Sequence, residues 1–89
     1  MNVFDAMAIN GRWVRLRLVE VVGGRSLTGF VGAVVIGGEG SPVESHLCFE
    51  HRLGRFSPCG TGSELFLSDI AEVEHVYKSA PKVVQLRVV

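Results

Sequence analysis

Residues 12–36 read RWVRLRLVEVVGGRSLTGFVGAVVI, a regular alternation of side-chain types interrupted by a double glycine. Val14, Leu16 and Leu18 fall on one side of an extended chain, and Trp13, Arg15 and Arg17 on the other. Side chains of a strand point alternately to its two faces, so this spacing predicts a strand with one buried face. Gly23-Gly24 supplies the positive φ angles of a tight turn, and a second β-rich run follows over residues 26–36. Gly29 and Gly32 interrupt that run. Glycine within a strand marks a bulge or sharp bend, the means by which a short sheet curls on itself.

Working outward, residues 2–9 predict a short helix capped by Asn2, with Val3, Phe4, Met7 and Ala8 on one face. Asn10-Gly11 ends it. Residues 37–42 form a glycine-rich loop with no Gly-Lys-Ser/Thr ending, so it is not a phosphate-binding loop. Further strands are expected at about 45–51 and 64–67, separated by a loop over 54–63. Residues 68–79 carry both helical and alternating spacing; the favoured reading is a helical turn at 69–71, then a strand over 72–77. After Pro81, residues 82–89 predict a final strand.

The chain has 89 residues, room for one domain spanning 1–89. Yet 47% of its residues are apolar, more than so small a core can hold, so a homo-oligomer is expected. Nine basic residues balance nine acidic ones, which gives no general attraction to nucleic acid or to a membrane. Residues 1–11 lack the pattern of a secretory signal, and no apolar run nears the ~20 residues of a membrane span. The expectation is a cytoplasmic protein with no membrane partner and with Cys48 and Cys59 reduced.

Two separated pieces carry a resemblance. The first is Arg12-Trp13-Val14-Arg15-Leu16-Arg17-Leu18-Val19-Glu20 with Gly24-Arg25-Ser26-Leu27-Thr28-Gly29-Phe30-Val31-Gly32; the second is Glu64-Leu65-Phe66-Leu67-Ser68-Asp69-Ile70-Ala71-Glu72-Val73-Glu74. In this order they resemble the Sm-like group of small barrels. The resemblance implies a mainly β fold: a short N-terminal helix, then a strongly bent five- or six-stranded Sm-like or SH3-like barrel. It also implies a ring-forming oligomer in which one chain's fourth strand pairs with a neighbour's fifth, and RNA as a ligand. The chain departs from the group's nucleotide pocket. Val34 and Val35 stand where an Asp is usual, no Asn follows Asn10, and the Arg-Gly pair of the second motif is missing.

Candidate chemistry is sparse. His46, Cys48, His51 and Cys59 are residue types that suit zinc, but their spacing is not that of a structural zinc site. The plainer reading makes Cys48 a small core residue and Cys59 a loop thiol. Cys59 lies near Arg55 and His51, whose charge would favour a thiolate. Glu72 and Glu74 share a strand face without a partner nucleophile, and no serine sits in a nucleophile elbow. No enzyme activity, cofactor or metal is expected. Trp13, Arg15 and Arg17 share one face, and an aromatic with two arginines can stack a base and neutralise phosphates. With Arg52 and Arg55 they form the candidate nucleic-acid-binding set. The alternative is a protein–protein adaptor acting through edge strands and surplus apolar surface, with no nucleic acid.

Overall fold

The computed structural model describes residues 1–51, 62–78 and 85–89. Arg52, Arg55 and Cys59, most of the expected loop over 54–63, and the start of the expected final strand lie outside them.

Helix α1 spans Val3–Ala8, and the Asn2 side chain caps it by accepting from the Asp5 N–H at 2.8 Å. Its buried face differs from the expected one. Ala6 and Ile9 are buried and Val3 is half-buried, whereas Phe4 and Met7 face solvent. Small Ala6 lets the helix approach the sheet closely, and the spacing Val3–Ala6–Ile9 turns Phe4 outward.

Strand β1 (Trp13–Leu18) and strand β2 (Ser26–Ile36) form the expected antiparallel hairpin. Between them a 3-10 turn over Glu20–Val22 leads into Gly23 and Gly24, both at positive φ. Strand β3 (His46–Phe49) pairs with β2 over Val31–Val35, and strand β4 (Glu64–Phe66) pairs with β3. The ambiguous segment resolves into a 3-10 turn over Leu67–Asp69 followed by strand β5 (Ile70–Val76), antiparallel to β1. The helical turn thus sits two residues earlier than expected. Strand β6 (Gln85–Val88) runs parallel to β2 over Ala33–Ile36.

The sheet order is β4-β3-β2-β1-β5, with β6 beside β2. The bend in β2 is where the glycines predict it. A methyl group on Gly29 would lie 2.5 Å from the Phe49 ring and 2.8 Å from His51, so β3 folds over β2 at this point. The β2–β3 register slips at Gly32. Among the described residues no ladder joins β4 to β5. Hydrogen bonding therefore leaves a strongly bent open sheet rather than the closed barrel expected. The reason is local: β4 is three residues long and the 3-10 turn carries the chain straight from it into β5.

Val14, Leu16 and Leu18 from β1 meet Val31, Val34, Leu47, Leu65 and Ile70 in one core beneath α1. Side chains Trp13, Arg15 and Arg17 emerge on the opposite face, as the alternation requires. No helix among the described residues is long and apolar enough to cross a membrane.

Candidate interaction surface

The outer face of β1 carries the three candidates that the described residues include, but they are not equivalent. The Arg17 Nε donates to the Glu72 Oε1 at 3.0 Å, and the Arg15 Nε lies 3.4 Å from the Glu74 Oε1. Glu74 also accepts from the Ser26 hydroxyl. Antiparallel pairing of β1 with β5 brings these groups together, since Arg17 stands opposite Glu72 in the register. Glu72 holds Arg17 above even its ordinary arginine pKa, first through the hydrogen bond and then through its charge. A phosphate reaching this face must displace two carboxylates.

Trp13 lies beyond that charged row. Phe30 meets its ring edge-on at 5.9 Å, and His51 stacks nearly parallel at 6.0 Å. These contacts hold the indole upright, with 43% of the residue exposed. At the end of β5 the Tyr77 N–H donates to the Trp13 carbonyl at 2.9 Å, and the Tyr77 ring is met edge-on by His75 at 4.5 Å. Trp13, Tyr77, Thr28 and Lys78 line an open cleft of about 250 Å³ with mostly apolar walls. Sequence reasoning missed Tyr77 and Lys78. An aromatic followed by a lysine just past the end of a strand was the available signal.

Strand β5 supplies a second feature. One edge is bonded to β1, while its other edge has no neighbour among the described residues. Tyr77 donates inward to Trp13, so the alternation of an antiparallel ladder turns the Val76 N–H outward. Val76 and Tyr77 are 42% and 37% exposed.

The described members of the cysteine–histidine group, His46, Cys48 and His51, do not converge on one site. His51 is engaged with Trp13, while the His46 Nδ1 lies 2.8 Å from the Glu44 carbonyl and its Nε2 3.8 Å from Glu64. Cys48 is half-buried on β3 opposite Glu64. Burial, then the charge of Glu64, pushes its thiol pKa up against a smaller opposing effect of Arg87. Cys48 is thus a poor nucleophile at neutral pH. Among the described residues no three His, Cys, Asp or Glu side chains converge to hold a metal. A larger hollow of about 490 Å³ lies between α1, the Gly37 turn and the segment Val43–Ser45. Its lining contributes one carboxylate, Glu44, and neither imidazole nor thiol.

No protein-family model, no curated protein and no solved structure matches the chain.

Proposed function

We propose that the protein is a non-enzymatic interaction module of the Sm-like or SH3-like kind, whose copies assemble by pairing β5 of one with an edge strand of the next. The observation that carries this reading is the β5 edge: a seven-residue strand, hydrogen-bonded on one side only among the described residues, ending in exposed Val76 with exposed Tyr77 just beyond it. An unpaired strand edge is a template for another strand. The outer edge of β4 closes the other end of the sheet order, so one end of a subunit can meet the opposite end of its neighbour. Among the described residues neither β4 nor β5 pairs with the other, so both outer edges enter this reading. The RNA reading has less support, because Arg15 and Arg17 face glutamates and the chain carries no net charge.

The test replaces Val76 with proline, which removes the outward N–H and leaves the ladder to β1 intact. Light scattering after size exclusion should show an assembly for the unaltered protein and a clear drop in average mass for Val76→Pro. Equal masses for the two proteins would sink the reading. Absorbance at 260 nm in excess of the protein's own would instead favour bound RNA.

A further inference from the structure

We infer that the cleft between Trp13 and Tyr77 is a docking site for Phe4 and Asp5 of a second copy of this chain. Its walls are two aromatic rings, each already held by neighbours: Trp13 by Phe30 and His51, Tyr77 by His75. Such rings lose little freedom when a third ring packs between them, and edge or offset contacts among aromatics favour a ring over an aliphatic chain. Lys78 stands at the cleft and makes no ion pair among the described residues. The site therefore calls for an aromatic side chain beside a negative charge. Its volume suits one ring, and a single cation suits one carboxylate better than a run of phosphates.

The chain presents that combination once on its described surface. Phe4 is 81% exposed, the most exposed aromatic among the described residues, and exposed Asp5 follows it. Val21 is also highly exposed and follows Glu20, but it has no ring to offer. Leu86 and Val88 flank Arg87, whose charge has the wrong sign for Lys78. Helix α1 is fixed on the core by Ala6 and Ile9, and the Met1 amino group donates to the Leu67 and Ile70 carbonyls. This anchoring holds Phe4 toward solvent, so it is covered only from outside. Donor patch and acceptor cleft involve different residues, which makes the contact head-to-tail. The contact goes beyond the β5 edge and does not depend on it.

Trp13 is the chain's sole tryptophan, so its emission reports on the cleft directly. Raising protein concentration should shift that emission to the blue as Phe4 of another copy covers the indole. Phe4→Ala should move the midpoint about tenfold higher in concentration, in line with the loss of one buried aromatic side chain. Asp5→Lys and Lys78→Glu should each weaken the shift, and the two combined should restore it. Val76→Pro should leave it in place, which separates this contact from pairing at β5. Emission that ignores concentration overturns the inference. So does a shift that survives Phe4→Ala unchanged, since another occupant would then fill the cleft, and so does a charge swap that restores nothing.

Discussion

At the scale of single residues, Gly29 does most to shape the molecule. It lies opposite Val14 in the β1–β2 ladder, on the face where β3 folds across. The hydrogen in place of a methyl group gives Phe49 and His51 the space to lie against β2. His51 can then reach the Trp13 ring, so the bend and the aromatic cluster share one cause. Phe49 is itself buried and has little room to retreat. Gly29→Ala is therefore expected to destabilise the fold by about 1–3 kcal/mol, the usual cost of overfilling a packed site. Urea unfolding measures this, and Trp13 emission should change in the folded state as His51 is displaced. An unchanged unfolding midpoint would mean that Phe49 swings aside freely and that the bend does not depend on this glycine. The glycine was legible as a bend because few other residues interrupt so strong a β pattern. That Phe49 and His51 would fill the space was not legible, because it depends on how β3 crosses β2.

At the scale of elements, β1 and β5 show how pairing alters the meaning of side chains. The alternation over residues 13–18 correctly places Trp13, Arg15 and Arg17 outside the core. It cannot show that two glutamates from 55 and 59 residues away arrive beside the arginines, because the β1–β5 register contains two slips. The boundaries of β2 were legible because glycine, turn and alternation agree there. The face of α1 was not, because a six-residue helix with five apolar side chains offers overlapping apolar stripes. Exposed ion pairs of the β1–β5 kind contribute little to stability. Glu72→Gln with Glu74→Gln should thus leave the urea unfolding midpoint nearly unchanged. The same change unmasks Arg15 and Arg17. If the glutamates are what keep phosphates away, the double variant should be retained on an RNA column at low salt and released steeply as salt rises. Neutralising Glu39 and Glu44 instead gives a control of equal net charge. Retention identical in the two variants would show only a general charge effect, with no special role for the Trp13–Arg15–Arg17 face.

At the scale of the whole molecule, the core among the described residues is made by α1 and the first five strands, and β6 lies outside it. Leu86 and Val88 stand opposite Val34 and Ile36 in the parallel register, yet they are 49% and 69% exposed. No described β6 side chain joins the core cluster. What β6 does is cover an edge. Over Ala33–Val35, strand β2 has β3 on one side and β6 on the other, and the β6 end is tied down by Val89, which donates to Ile36 and accepts from Gly38. Removing residues 85–89 should accordingly leave cooperative folding intact while costing on the order of 2–4 kcal/mol in ladder hydrogen bonds, each worth about 1 kcal/mol net. It should also open the β2 edge beside buried Val34 and Val35, and uncovered strand edges associate. The shortened chain is therefore expected to unfold in a single urea transition and to scatter more light with rising concentration. Loss of cooperative unfolding would make β6 an integral part of the core. A shortened chain that unfolds cooperatively but stays no more associated than the full one would show that the β2 edge is protected without it, and the role of β6 would have to be sought in its exposed apolar side chains instead.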